Sequence, residues 1–306
     1  MDVFLGIDWG GSYIKAGIIN AKGRILKKIV YSSEKLKQKQ AFINEIKSLT
    51  KSFRSFAIKG IGIGAPGIID IKDGFIYYLP NISGWKNYPL RNILKKELKL
   101  PVFLDNDANV FALAEVRLGA AKGKKNAIFL TLGTGLGGAV IFDGRILEGR
   151  TSASELGHVP LSLDGRLCGC GGKGCIETFT ASKHLLARYA QLKGKKTPDK
   201  EVREIFEAAR RKDKAALAVW SEFSKALGKF LAGMINVFNP QTIVFGGGVA
   251  GAFSIFRPLV WKEIKQQAMW PQLKNLKLVK AKLKDAGIIG AGILAKEGIE
   301  NNRHEV

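Results

Sequence analysis

The sequence has few of the side chains that most often carry chemistry or covalent cross-links: 3 cysteines, 3 histidines and 26 acidic residues among 306. Three cysteines cannot form a closed disulfide framework, because one thiol is always left over. No apolar run reaches the roughly 20 residues that cross a bilayer, so we expect no transmembrane span. Residues 3–7 lack the basic segment and the cleavage site of a signal peptide, which predicts a cytoplasmic protein.

The scarcity of acidic residues leaves the chain strongly basic. Lysine and arginine number 49, and the formal net charge is +23. Such a charge permits binding to nucleic acid or to another anionic surface. The densest basic groups, at 122–125, 193–196 and 210–214, have no interleaved aromatic residues for base stacking. We interpret them as a solvated surface that attracts anionic substrates, and we expect neither a nucleic-acid nor a membrane partner.

The length predicts two domains of roughly 150 residues each. The order strand, glycine turn, strand occurs twice, at 3–19 and at 127–142, and the repetition predicts a duplicated α/β fold. We expect a small N-terminal lobe at 1–118, completed by the C-terminal helix at about 288–306, and a large lobe at 119–287. The Gly- and Lys-rich segment 119–125 is the predicted hinge.

Hydrophobic periodicity predicts the remaining elements. Further strands are expected at 24–31, 59–64, 101–104 and 242–245. Helices are expected at 34–53, 90–98, 107–118, 176–192, 214–238, 253–269 and 287–296.

All three cysteines and one histidine fall within a single short segment. The four residues are His158, Cys168, Cys170 and Cys175. A Cys3His set satisfies tetrahedral zinc and leaves no position open for catalysis, which predicts a structural zinc site. Surrounding glycines favour this interpretation, since wrapping a backbone around one ion requires tight turns. Reduced thiols without a metal are the alternative.

Three glycine-rich turns are candidates for phosphate binding. Residues 133–138 satisfy G-x-G-x-x-G, but a strand follows them where a dinucleotide fingerprint requires a helix. Such a turn can instead present backbone N–H groups to a phosphate, and a structural hairpin without a ligand is the alternative. Residues 8–12 place an aspartate beside a second glycine turn, and 246–248 form a third. Together the three turns indicate a nucleotide site.

The segment 104–109, Leu-Asp-Asn-Asp-Ala-Asn, ends a predicted strand and starts a predicted helix. Asp107 in this position is either a helix N-cap or a general base that accepts a proton from an attacking hydroxyl. Glu155 and Glu177 flank the cysteine segment and are candidate acceptors for sugar hydroxyls, and Asn81 and Asn106 offer amide partners.

Taken together, these segments resemble the ROK family of sugar kinases and repressors. The motifs that carry the resemblance are Asp8-x-Gly10-Gly11-Ser12-x-x-Lys15, Ala65-Pro66-Gly67, Pro80-Asn81, Asn106-Asp107-Ala108-Asn109, Gly133-Thr134-Gly135-x-Gly137-Gly138, Glu155-x-Gly157-His158, Cys168-x-Cys170-Gly171-x-x-Gly174-Cys175-x-Glu177 and Gly246-Gly247-Gly248.

The resemblance implies an α/β, duplicated actin-like (ribonuclease H-like) ATPase fold whose two lobes bind ATP, Mg2+ and a sugar in a cleft. It implies that Asp107 is the catalytic base. Sugar hydroxyls would be held by Asn81, Asn106, Asp107, Glu155, His158 and Glu177. Mg-ATP would be held by Asp8, Gly10, Gly11, Ser12, Lys15, Gly133, Thr134, Gly135, Gly137, Gly247 and Gly248.

The expected reaction is ATP-dependent phosphorylation of a hexose at its 6-hydroxyl, with glucose as the expected hexose. Kinases for N-acetylmannosamine, N-acetylglucosamine or fructose are the alternatives, and a sugar-responsive regulator without catalysis is a further one. Repressors of the family carry an N-terminal helix-turn-helix; because the first predicted strand begins at residue 3, we do not expect a repressor. Analogy with the family predicts a homo-oligomer, either a dimer or a tetramer.

Overall fold

A computed structural model describes residues 2–11, 13–80, 82, 84–149, 151, 154–195 and 201–302. Its strands are β1 (Val3–Trp9), β2 (Tyr13–Asn20), β3 (Ile25–Ser32), β4 (Ile58–Ala65), β5 (Ile68–Asp70), β6 (Phe75–Tyr78), β7 (Lys86–Tyr88), β8 (Val102–Asn106), β9 (Ala127–Leu132), β10 (Leu136–Phe142), β11 (Arg145–Ile146), β12 (Thr242–Gly246) and β13 (Lys277–Lys280). Its α-helices are α1 (Lys39–Ser52), α2 (Leu90–Leu98), α3 (Asp107–Arg117), α4 (Glu177–Thr180), α5 (Ser182–Leu192), α6 (Val202–Arg210), α7 (Lys214–Phe238), α8 (Phe253–Gln267) and α9 (Ala286–Asn302). Within these residues no helix combines the length and apolarity that a bilayer crossing requires.

The backbone divides into two compact units. Unit 1 comprises Met1–Gly123, Ile146–Ala153 and Lys282–Val306, and unit 2 comprises Lys124–Arg145 and Ser154–Ala281.

Unit 1 is built on a five-stranded mixed sheet with the order β3-β2-β1-β4-β8. Strand β1 pairs antiparallel with β2 and parallel with β4, and β4 pairs parallel with β8. A small antiparallel sheet, β5-β6-β7, belongs to the same unit. The carboxyl ends of the parallel strands β1, β4 and β8 therefore meet at one edge of the main sheet, where ligand sites of α/β folds gather.

Strand β1 is covered on both faces, because its side chains alternate between two apolar layers. Leu5, Ile7 and Trp9 are buried in a core shared with α1, where Trp9 stacks on Phe42 at 3.9 Å between ring centroids. On the opposite face Gly6 lies against the backbone of α9, so closely that a Cβ there would collide with the carbonyl of Ile288. The small residues of α9 thus allow this helix to pack directly on the sheet.

Unit 2 repeats this architecture with the strand order β11-β10-β9-β12-β13. Strand β9 pairs antiparallel with β10 and parallel with β12, which pairs parallel with β13. The core beside the sheet includes Trp220 and Phe223 of α7 and Phe256 of α8. Each unit thus contains a hairpin followed by parallel strands, and the predicted duplicated α/β fold is confirmed.

Two helix predictions were wrong in detail. The helix expected at 176–192 is broken into α4 and α5, because Ala181 between them is extended, with φ −66° and ψ 145°. The helix expected at 34–53 is a 3-10 turn at Ser33–Leu36 followed by α1. The sequence interpretation also missed β5–β7, β11, α6 and β13. The strands among them have only two to four residues, too few to establish an alternating pattern.

Candidate active site

Asp8 is the penultimate residue of β1, near the carboxyl end of that strand in unit 1. The antiparallel register places Lys15 of β2 opposite it, and the lysine Nζ lies 3.5 Å from Asp8 Oδ2. Gly287, in the first turn of α9, touches the same carboxylate, and a Cβ there would lie 2.5 Å from Oδ2. Burial raises the pKa of Asp8, and the ion pair with Lys15 opposes that rise. A divalent cation would favour the charged form of this carboxylate.

The glycine turn that follows Asp8 is narrow and open to solvent. The Gly10 N–H donates to the carbonyl of Tyr13 at 2.9 Å, and the Ser33 hydroxyl donates to the carbonyl of Gly11 at 2.5 Å. Open space surrounds the position where a Gly11 Cβ would stand. Ser12 and Asn81, both predicted site residues, lie outside the described residues.

Asn106 and Asp107 connect β8 to α3. Asn106 is the N-cap of the helix, since its Oδ1 accepts from the Ala108 N–H at 2.8 Å, and its Nδ2 donates to the carbonyl of Gly67 at 3.2 Å. Asp107 is therefore the first helical residue rather than the cap. Its Oδ1 also accepts from the Ala108 N–H at 2.8 Å, and the residue is half-buried. The side chain is thus held at the helix start and remains accessible to a ligand.

Asp105, next to these residues, had no predicted role. It is buried, with 2% of its surface exposed, and its Oδ1 accepts from the Asn106 N–H at 2.6 Å and from Asn109 Nδ2 at 2.7 Å. Burial raises the pKa of this carboxyl to about 7. The signal available in the sequence was a carboxylate directly after the apolar residues Val102–Leu104, within the same strand.

The glycine turn of unit 2 joins β9 to β10. The Gly133 N–H donates to the carbonyl of Gly135 at 2.9 Å, and both the N–H and the hydroxyl of Ser182 donate to the carbonyl of Gly133, at 2.8 and 2.6 Å. Thr134 is exposed at the tip, and Gly137 lies in β10. Strand β10 starts within the glycine motif and includes Gly137 and Gly138, so the turn has the form of the predicted hairpin.

The third glycine loop lies at the same sheet edge of unit 2. Strands β9 and β12 run parallel, with Thr131 opposite Gly246, so their carboxyl ends are neighbours. Gly247 has φ 81°, and a Cβ there would collide with the backbone of Leu132. Both Gly247 and Gly248 are exposed. Within unit 2, therefore, two of the predicted nucleotide-binding segments meet.

In unit 2, His158 and Glu177 both act on Glu155 through their charges. Burial raises the pKa of Glu155, His158 opposes the rise and Glu177 adds to it. Glu177 begins α4, two residues after Cys175, and its Oε2 accepts from the Leu136 N–H at 2.9 Å. The predicted sugar-binding residues of this unit are thus brought together beside the glycine turn.

The predicted metal ligands also form one cluster. The ligand atoms of His158, Cys168, Cys170 and Cys175 all lie within 4.8 Å of one another. Tetrahedral zinc, with Zn–S of about 2.3 Å and Zn–N of about 2.0 Å, requires S···S distances of about 3.8 Å and S···N distances of about 3.5 Å. Cys170 Sγ lies 3.7 Å from Cys175 Sγ, and Cys168 Sγ lies 3.6 Å from His158 Nδ1. The donor set and its spacing fit zinc.

The ionisation of the thiols also bears on metal binding. Burial raises the pKa of the Cys175 thiol to about 12, whereas the backbone N–H of Gly172 lowers the pKa of Cys170. A buried thiol of high pKa becomes a thiolate only when a cation compensates its charge. Zinc binding here would release protons and would weaken as the pH falls.

The profile of the ROK family matches residues 4–298. The chain belongs to the ROK family. This confirms the resemblance that the motifs carried, and the ROK membership also accounts for the paired sheets of the two units.

Several ROK proteins are similar over nearly the whole chain. A glucokinase from Thermotoga maritima is 34% identical over 310 residues, which cover 96% of this chain and 98% of that protein. A xylose repressor from Caldicellulosiruptor bescii is 31% identical over 303 residues, which cover 93% of this chain and 75% of the repressor. The crystal structure of a ROK family glucokinase from Streptomyces griseus in complex with glucose and AMPPNP has a TM-score of 0.84 at 30% identity, and the match covers 97% of this chain and 100% of that one.

Proposed function

We propose that this chain is an ATP-dependent glucokinase, which transfers the γ-phosphoryl group of ATP to the 6-hydroxyl of glucose. The observation that carries the proposal is the 34% identity with a glucokinase over nearly the full length of both proteins. The placement of Asp107 supports it, because this carboxylate is half-buried and held at the first turn of α3.

In the proposed reaction Asp107 is the general base. The 6-oxygen of the sugar forms a bond to the γ-phosphorus, and the bond from that phosphorus to the β,γ-bridging oxygen breaks, so that ADP leaves. The hydroxyl proton passes to the Asp107 carboxylate and from there to water. The position of this carboxylate is what matters, because a loose phosphoryl-transfer transition state depends more on orientation than on early proton removal.

We propose that the glycine turns bind the phosphates of ATP. The positions of Gly11, Gly133 and Gly248 have open space where a Cβ would stand, so a phosphate can approach the backbone of these turns closely. The ammonium of Lys15 is a further candidate for a phosphate oxygen. Asp8 is the candidate to hold Mg2+, which supplies charge neutralisation at the phosphates.

The proposed sugar ligands are Asn81, Asn106, Asp107, Glu155, His158 and Glu177. In this assignment His158 has two roles, since Nδ1 faces the thiols and leaves Nε2 for a sugar hydroxyl. The zinc itself is proposed to be structural, because four protein ligands leave no open coordination position.

The test is a sugar panel with Mg-ATP, read as ADP release. Glucose, fructose, N-acetylglucosamine and N-acetylmannosamine are compared at equal concentration, with a no-sugar reaction as the control. We expect the highest kcat/KM with glucose. A higher kcat/KM with another sugar would refute the glucose assignment, and ADP release with none of them would refute the kinase assignment.

A further inference from the structure

The carboxylate of Asp105 is buried, and among the described residues no charged group is its hydrogen-bond partner. Its two bonds come from a backbone N–H, that of Asn106, and from an amide group, that of Asn109. An ionised carboxylate in such surroundings is costly unless its hydrogen bonds are strong. An aspartate at this buried position, directly after the apolar residues Val102–Leu104, therefore calls for a role beyond packing.

The two hydrogen bonds of Asp105 bracket Asp107. One holds the peptide of Asn106, the residue before it, and the other holds the side chain of Asn109, two residues after it. The Asn106 side chain is in turn fixed by the Ala108 N–H and the Gly67 carbonyl. The direction in which Asp107 leaves the helix thus depends on a set of bonds centred on Asp105.

Asn109 gives this cluster a second possible arrangement. Its Oδ1 is buried, with no hydrogen-bond partner among the described residues, while its Nδ2 donates to Asp105. A protonated Asp105 could donate to that oxygen if the amide turned over, since an amide offers a donor on one side and an acceptor on the other. Ionised and protonated Asp105 would then hold Asn109 differently.

The charges around Asp105 are few. Strand β4 places Gly64 opposite Asp105 and Ala65 opposite Asn106, so it contributes no charge there. Glu148, an exposed residue after β11 in the same unit, acts on Asp105 through its field and adds to the effect of burial on the pKa. Lys72 and Glu148 line the same cavity of about 370 Å³.

We propose that Asp105 is a positioning residue: in its ionised form it holds the Asn106 peptide and Asn109 so that Asp107 is presented to the sugar hydroxyl. The inference rests on the proposed function, because it assigns a role in that same reaction. Protonation would weaken both bonds, which lose their charge assistance. Activity should therefore fall as the pH falls through the pKa of Asp105, about 7.

The experiment measures kcat against pH, from about 5.5 to 8.5, for the wild type, Asp105→Asn and Glu148→Gln with saturating glucose and Mg-ATP. In the wild type kcat should rise with a midpoint near 7. Glu148→Gln removes a negative charge from the surface, so its midpoint should move to lower pH, with kcat on the alkaline plateau within about twofold of the wild type. Asp105→Asn should lose the inflection and about tenfold or more in kcat at alkaline pH.

Glu148→Gln keeps the inference testable even if Asp105→Asn does not fold, because it changes an exposed side chain. An unchanged midpoint in Glu148→Gln, or wild-type kcat and pH dependence in Asp105→Asn, would overturn the positioning role while leaving the kinase assignment intact. If the wild type releases no ADP with any sugar, the proposed function fails and this inference fails with it.

Discussion

The backbone N–H of Leu136 donates to Glu177 Oε2 across 2.9 Å, and Gly135 lies against the same carboxylate. Glu177 is two residues from Cys175, a ligand of the proposed zinc site. A proposed nucleotide-binding turn and the cysteine loop are therefore connected by a single carboxylate. A substitution in the glycine turn should therefore affect Glu177 and the cysteine loop beside it.

We expect Gly135→Ala to disturb this connection, since a Cβ at position 135 would collide with Glu177 Oε2. The carboxylate must move, and its bond to Leu136 weakens. The expected result is a loss of at least about tenfold in kcat/KM for glucose with only modest loss of stability. Gly233→Ala is the matched control, because open space surrounds this exposed position in α7. Equal activity of the two variants would contradict the connection.

Zinc should be present at one ion per chain and should stabilise unit 2. Cys170→Ser removes one of four ligands, so metal content and Tm should both fall, the latter because metal binding is coupled to folding. Elemental analysis of protein purified without chelator, with thermal melting, measures both. His184→Gln, a change in a half-buried histidine of α5 outside the cluster, serves as the control. If the wild type contains no zinc and Cys170→Ser has the same Tm as the wild type, the zinc assignment is disproved.

Asp107→Asn should reduce kcat by at least about 100-fold, because the amide cannot accept the hydroxyl proton. Glucose affinity, measured by calorimetry, should change only modestly, since Asn retains a hydrogen-bonding side chain at the start of α3. Asp73→Asn is the control, as it removes an exposed carboxylate from the same unit. Near-normal turnover in Asp107→Asn would exclude Asp107 as the base.

Gly287→Ala should impair nucleotide use through Asp8. The added Cβ would lie 2.5 Å from Asp8 Oδ2, so the carboxylate or the start of α9 must shift. We expect kcat/KM for Mg-ATP to fall by about tenfold or more, with glucose binding in the absence of nucleotide unchanged. Titrating Mg-ATP at saturating glucose tests this, again beside Gly233→Ala. Unaltered kinetics would argue against a role for Asp8 in holding Mg-ATP.

The ionisation of Asp105 should also appear in stability. Because burial raises the pKa of the folded carboxyl to about 7, the folded chain retains this proton between about pH 4 and pH 7, where the unfolded chain has lost it. Wild-type stability should therefore fall with rising pH across that window, relative to Asp105→Asn. The free energy of unfolding of Asp105→Asn minus that of the wild type, here called the gap, should increase by about 1.4 kcal/mol per pH unit and level off above pH 7. Urea titrations across this range measure the gap, and a constant gap would contradict the raised pKa.

Local patterns predicted much of the fold. The strands flanking 10–11 and 133–138 were identified from alternation and glycine turns, and β1, β2, β9 and β10 lie there. The break at Ala181 was missed, because the apolar spacing continues across it while the backbone extends to place Ser182 against the Gly133 carbonyl. A contact between residues 49 positions apart leaves no local signal.

The sequence by itself determined the features whose members are close along the chain. The four candidate zinc ligands fall within 158–175, and Asn106 and Asp107 are adjacent, so spacing alone indicated their chemistry. Only the tertiary structure decided that Asp105 is buried, that Gly287 touches Asp8 and that Glu177 binds the Leu136 N–H. Burial and long-range distances depend on which segments pack together, and the sequence pattern of one segment does not specify its neighbours.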